Sequence, residues 1–228
     1  MRRITQWMLG TFVAVVAVAT VAAQAPPAPA PAPAPAPAVA PQPAVAPQPA
    51  VAPPAAAATA TDLFPTKVGS KWTYKIGEAQ TIEVRVDSVK DGEVVLSTVV
   101  GGKSVAKETI KVQADGVYRT KVNDSPINPP VKILALPAKK DTKWLVETKV
   151  QEQTVKGNFI IKEEKESVTL KDTKKYEAVV VESTDLDVAG TKTTVKTWFA
   201  PGKGMIKLQY SINGNEATLE LTEYVEGK

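Results

Sequence analysis

The stretch MIKLQYSINGNEATLELT, from Met205 to Thr222, alternates apolar and polar residues on both sides of Asn213-Gly214. Alternation with a period of two is typical of a strand that buries one face and exposes the other. Asn-Gly supplies the positive φ angles that a type I′ hairpin turn requires. The stretch therefore predicts two antiparallel strands joined by a tight turn. Their apolar faces carry Ile206, Leu208, Tyr210, Ile212, Leu219 and Leu221.

The same alternation recurs through the second part of the chain, for example at Ile82, Val84 and Val86. We find no stretch with sustained helical periodicity. The candidate strands cover residues 71–77, 80–90, 93–100, 103–112, 117–122, 143–155, 158–164, 176–185, 191–199, 205–212 and 216–225. Allowing for one or two that merge or fail, we predict an all-β fold: a single curved antiparallel meander of about ten strands. Such a sheet curls into a half-barrel or barrel; a β-sandwich is the alternative.

Turn dipeptides separate these segments at short intervals, as hairpins between sequential strands require. They are Asp91-Gly92, Gly101-Gly102, Asp115-Gly116, Gly157-Asn158, Ala189-Gly190 and Asn213-Gly214. One segment departs from the rhythm, because residues 123–141 contain four prolines. Proline is excluded from central strands. We therefore predict an extended crossover there, whose apolar residues cover the core or plug one end of it.

The N-terminal quarter of the chain has a different composition. Residues 1–23 carry Arg2 and Arg3, an apolar run and small residues at a cleavage site, which predicts a secretory signal peptide. An uncleaved anchor is the alternative, although the run is shorter than the roughly 20 residues that span a bilayer. Residues 24–60 form a Pro/Ala-rich linker that favours polyproline II. Residues 61–228 form the all-β domain, which we expect to be exported to the periplasm or secreted, with no transmembrane segment once the signal is cleaved.

Composition excludes several kinds of chemistry. The chain has no cysteine and no histidine, which rules out disulfides, the usual zinc sites and His-dependent nucleophiles. No phosphate-binding glycine loop or nucleophile motif is present, so we predict no catalytic residue, no cofactor and no metal site. Without Arg2 and Arg3 the chain has 26 basic and 24 acidic residues, and its only other arginines are Arg85 and Arg119. Nucleic acid is therefore not an expected partner.

One group of side chains is a candidate for ligand binding. If Val195 and Phe199 face the core, Trp198 lies on the opposite face of its strand, beside Lys196 and Lys192. A tryptophan next to cations stacks well on a sugar or a lipid headgroup. The alternative is that Trp198 packs over its own hairpin and has only a structural role.

Three motifs resemble those of a family of exported bacterial all-β proteins of unknown function. Phe64–Tyr74 (FPTKVGSKWTY) resembles an FPLxxGxxWxY opening, Thr197–Lys207 (TWFAPGKGMIK) a YWFAPGVGLVK hairpin, and Lys175–Val179 (KYEAV) a GKYKAV strand start. Lys203 replaces an apolar residue of that hairpin. The resemblance spans about residues 62–225 and implies a curved antiparallel sheet, distantly similar to the half-barrels of lipoprotein-carrier and TapB-like families. It carries over no catalytic residue.

Two functions remain open at this stage. The first is a non-catalytic, envelope-associated binding or structural module, with a lipid or another apolar envelope component on a concave sheet face as its partner. The second is a carboxylate-dependent hydrolase of envelope polysaccharide, which would need two acids about 5–10 Å apart in a cleft. Neither the ligand nor the oligomeric state follows from these patterns.

Overall fold

Antiparallel strands follow one another around a closed sheet in the computed structural model, which describes residues 59–77, 80–150 and 152–228. Each strand pairs with the next along the chain, and β1 completes the ring by pairing with β12. The strands are β1 (Lys71–Ile76), β2 (Gln80–Lys90), β3 (Glu93–Val100), β4 (Lys103–Gln113), β5 (Gly116–Val122), β6 (Ser125–Ala135), β7 (Lys143–Val150), β8 (Gln153–Thr169), β9 (Lys175–Val188), β10 (Thr191–Ala200), β11 (Gly204–Ile212) and β12 (Asn215–Val225). The predicted all-β meander is confirmed.

The sheet differs from the prediction in its number of strands, and its closure selects the barrel from the forms that were predicted. The described residues form twelve strands rather than about ten, and they form a complete barrel rather than a half-barrel or a sandwich. The closing ladder runs from the Lys71–Val225 pair to the Ile76–Leu219 pair, with one irregularity after Thr73. With both edge strands paired, the barrel has no open sheet edge.

The prediction of a crossover at residues 123–141 was wrong, because β6 occupies most of it. Residues 127–130, which include Pro129-Pro130, have no registered partner on β5. On the other side, β6 pairs with β7 only at Ile127 and Asn128. Proline has no backbone N–H, so it is tolerated at a strand position that donates no ladder hydrogen bond. The apolar residues of this segment belong to the core, as expected, with Val131 and Leu134 almost fully buried.

The predicted turn at Gly157-Asn158 was also wrong. Strand β7 ends at Val150 and β8 begins at Gln153, so Gly157 lies inside β8. A Cβ at Gly157 would lie 2.8 Å from the Cα of Leu186 on the neighbouring strand. The glycine therefore permits a close approach of two backbones.

We predict that Gly157→Ala lowers the free energy of unfolding by about 1–3 kcal/mol, because the new methyl group must displace backbone rather than a flexible side chain. Urea denaturation followed by tryptophan fluorescence measures the change. Thr154→Ala is the control, since Thr154 is exposed on the same strand. Equal stability of the two variants would contradict this account.

A one-turn helix, α1 (Ala60–Leu63), precedes the barrel. Its N-cap is Thr59, which forms a capping box with Asp62. The folded part therefore begins slightly before the predicted boundary at residue 61. The predicted signal peptide (1–23) and nearly all of the predicted linker (24–60) lie outside the described residues. Within the described part of the chain, no helix is long and apolar enough to cross a membrane.

The end of the β8–β9 hairpin, where β8 leads into β9, folds over the outer surface of the barrel. We call residues 166–174 the outer arm. Its backbone N–H at Lys171 donates to Glu220 of β12 at 3.2 Å. Because β10 and β11 lie between β9 and β12 in the sheet, the outer arm must cross both strands to reach Glu220. It carries Val168 and Leu170, both buried, onto a face that would otherwise be solvated.

Candidate functional site

The barrel interior contains a cavity of about 170 Å³. All strands except β7 and β12 contribute residues to its lining, and the lining residues are mostly apolar. A dry apolar cavity of about 150 Å³ is large enough to bind benzene. The aromatic residues of the lining are Phe64, Trp72, Tyr74, Phe159, Phe199 and Tyr210.

Side chains around the cavity show that the interior is not filled. Val195, Thr197 and Leu208 line the cavity and are only half-buried. Thr197 and Leu208 are directly opposite each other on β10 and β11. Protein interiors are normally packed as densely as organic crystals. Accessible surface on inward-facing side chains therefore indicates room for a small molecule.

The segment before β1 closes one end of the barrel. Helix α1 contacts β4, β10 and β11, and Leu63 is fully buried there. The backbone N–H of Gly202, in the turn between β10 and β11, donates to the carbonyl of Asp62 at 2.7 Å. Gly204 has a positive φ of 74°, and a Cβ there would lie 3.1 Å from Cδ of Pro65. Any other residue at this position would therefore strain the contact between the turn and the segment.

Two side chains of β1 contact this turn and the beginning of β11 from inside the barrel. The indole Nε1 of Trp72 donates to the carbonyl of Lys203 at 2.6 Å, and the hydroxyl of Tyr74 donates to the carbonyl of Met205 at 2.9 Å. The opening and closing motifs singled out in the sequence are therefore in contact. The aromatic and glycine residues of these motifs have a direct structural role, because they anchor one end of the cavity.

One ion pair lies among the apolar lining residues. Arg119 Nε and Glu108 Oε2 are 3.0 Å apart, and their side chains are 17% and 15% exposed. An irregularity in the β4–β5 register puts Arg119 opposite Ile110, with Thr120 as the extra residue. Bulges of this kind redirect side chains and recur near binding sites. Among the described residues that line the cavity, these two carry the only formal charges.

Two inward-facing tyrosines differ in how their hydroxyls are satisfied. Tyr74 donates to Met205, whereas the enclosed hydroxyl of Tyr210 has no hydrogen-bond partner within the described part of the chain. Burial raises the pKa of both hydroxyls above the usual value. A buried polar group without a partner is destabilising.

We predict opposite results for the same substitution at these two positions. Tyr74→Phe should lower the free energy of unfolding by about 1–3 kcal/mol, because the Met205 carbonyl is left without its donor. Tyr210→Phe should leave it unchanged or raise it, because the hydroxyl that is removed has no partner. Chemical denaturation of both variants checks this. A loss at Tyr210 as large as that at Tyr74 would refute the assignment.

The structure places the sequence-predicted site residues outside the barrel. Trp198 lies on the opposite face from Phe199, as expected, but it is only 5% exposed, and its Nε1 donates to Glu166 of the outer arm at 2.8 Å. Lys196 lies over the Trp198 ring, 4.7 Å from its centroid, and pairs with Glu166. Lys192 is apart from both.

Lys192 is 77% exposed and forms an ion pair of 3.1 Å with Asp187. Its hydrogen bond holds the pKa of the Asp187 carboxyl below its usual value. The three predicted residues therefore do not form one cluster. Their role in ligand binding stays a prediction.

Sequence reasoning missed the Glu108–Arg119 pair. The rarity of arginine in the folded part was a usable signal, because Arg119 is one of only two arginines there. Alternation along β5 was a second signal, because Arg119 is two residues from the buried Val117 and so lies on the same face of the strand.

No protein-family model matches the chain, and no curated protein was found to match it. Among solved structures, a candidate lipoprotein from Parabacteroides distasonis ATCC 8503 superposes with a TM-score of 0.53 at 15% identity, over 74% of this chain and 99% of that one. A candidate exported protein with a YmcC-like fold from Bacteroides fragilis NCTC 9343 gives 0.47 at 13% identity, over 75% and 100%. The hypothetical lipoprotein YmcC from Escherichia coli K12 gives 0.35 at 11% identity, over 74% and 90%. At these identities, the similarity to the Parabacteroides protein shows a shared fold and nothing more.

Proposed function

We propose that this chain is an exported, non-catalytic binding module of the cell envelope that holds a small apolar molecule inside its barrel. The observation that carries the proposal is the unfilled, mostly apolar cavity of about 170 Å³. Ligand sites are typically concave and apolar with a few placed polar groups. At this volume the occupant is a small molecule rather than a whole lipid, since drug-sized ligands take roughly 300–1,000 Å³.

Support for export comes from the N-terminal sequence. Residues 1–23 have the charged, apolar and small-residue regions of a secretory signal. The Parabacteroides protein with the same fold is described as a candidate lipoprotein, which supports the same compartment by fold-level analogy. This chain contains no cysteine that could carry a lipoprotein's acyl anchor.

Support for binding rather than turnover comes from the acids around the cavity. Glycoside hydrolysis usually needs two carboxyl groups that face the substrate. The described residues of the lining include one carboxylate, Glu108, and it is paired with Arg119. This arrangement favours a binding module over the polysaccharide hydrolase considered from the sequence.

Native mass spectrometry of the full chain, expressed with its own N-terminal segment and recovered from a bacterial periplasm, tests the proposal. We expect an adduct on the order of 100 Da, the mass of a molecule slightly larger than benzene, which suits a cavity of this size. Val195→Phe adds a ring where the half-buried Val195 lines the cavity, and should abolish the adduct.

The control is Thr194→Phe, which adds the same ring at an exposed position on the same strand. Circular dichroism establishes that both variants are folded. An unmodified mass for the native chain, or an adduct that persists in Val195→Phe, would count against an occupied cavity. Failure of the chain to reach the periplasm would count against export.

A further inference from the structure

We propose that the ligand is an uncharged molecule with a small apolar body and a single hydroxyl or amide group, and that the Glu108–Arg119 pair selects it. This inference rests on the proposed function, because it names the ligand class of the same cavity. It depends on the position and the net charge of the pair.

The pair is part of the cavity wall. Glu108 on β4 and Arg119 on β5 both line the cavity, and each keeps a small accessible surface. The carboxylate accepts hydrogen bonds and the guanidinium donates them. A ligand group that both donates and accepts can therefore bond to the pair. Hydroxyl and amide groups have this property, whereas a hydrocarbon has neither capacity.

The pair has no net charge, which decides the charge of its ligand. Glu108 and Arg119 are the only formally charged residues in the described lining. A carboxylate or an ammonium ion that entered would bring a charge that the site does not balance. Burying an unbalanced charge in apolar surroundings is strongly unfavourable. An uncharged ligand avoids this penalty.

A structural role alone does not explain a charged pair inside the barrel. Replacing a buried ion pair by apolar residues of similar size is often neutral or stabilising. The remaining described lining is made of aromatic and aliphatic side chains with a few threonine hydroxyls, such as Thr98 and Thr193. A more apolar wall would suffice to fold the barrel, so the pair is better explained by recognition of a polar ligand group.

The test uses four probes of similar size at pH 7: toluene, benzyl alcohol, benzoate and benzylammonium. Their dissociation constants for the full chain are measured by titration in two-dimensional NMR spectra. We expect benzyl alcohol to bind at least about tenfold more tightly than either ion, because neither ion is balanced by the wall. In Glu108→Gln the wall gains one positive charge, and benzoate should improve at least about tenfold relative to benzyl alcohol.

The double variant Glu108→Met with Arg119→Met keeps the test decisive if Glu108→Gln does not fold. It should bind toluene and lose the preference for benzyl alcohol over toluene. Binding of toluene with no difference among the polar probes, or an unchanged ranking in the variants, would overturn the inference and leave the proposed function intact. Binding of none of the four probes would overturn both.

Discussion

Two hydrogen bonds that cross the interior at one end of the barrel reinforce the β1–β12 ladder that closes it. Trp72 and Tyr74 of the first strand donate to the turn and the beginning of β11, which are more than a hundred residues away along the chain. Strand β12 lies between β1 and β11 in the sheet, so these bonds tie together strands that are not neighbours. Ordering such distant segments carries a loop-closure cost that grows slowly with length and slows folding. The aromatic side chains offset part of that cost, because each combines apolar burial with a hydrogen bond.

The same end of the barrel explains why the cavity exists. Helix α1 and Phe64 cover the opening that twelve strands leave, and Gly204 lets the start of β11 approach this segment closely. A ring of this many strands is wide enough for its inward side chains not to meet everywhere. Among the described residues that line the remaining space, only Glu108 and Arg119 carry a formal charge. The charged groups of the site thus lie next to one irregularity in the β4–β5 ladder.

Local patterns predicted most of the strands, because alternation and turn chemistry are properties of neighbouring residues. Asn213 and Gly214 have the positive φ angles, 50° and 80°, that the dipeptide predicted. The prolines of β6 wrongly indicated a crossover, since a strand position without a ladder hydrogen bond can accept proline. Gly157 wrongly indicated a turn, because a close approach of two strands requires glycine as much as a turn does. Closure and the path of the outer arm over Trp198 depend on contacts between strands that are distant along the chain, which no single segment encodes.

The short ladder between β6 and β7 affects how fast a molecule can exchange between the barrel interior and solvent. Only the Ile127–Val150 and Asn128–Lys149 pairs are in register there, and beyond them the indole of Trp144 bonds to the Lys132 carbonyl. Local opening occurs where the fewest interactions must break. We therefore expect β6 and β7 to separate before any other pair of neighbouring strands. The residence time of an enclosed molecule is then set by how often this separation occurs, and not by how fast the molecule diffuses in the surrounding solvent.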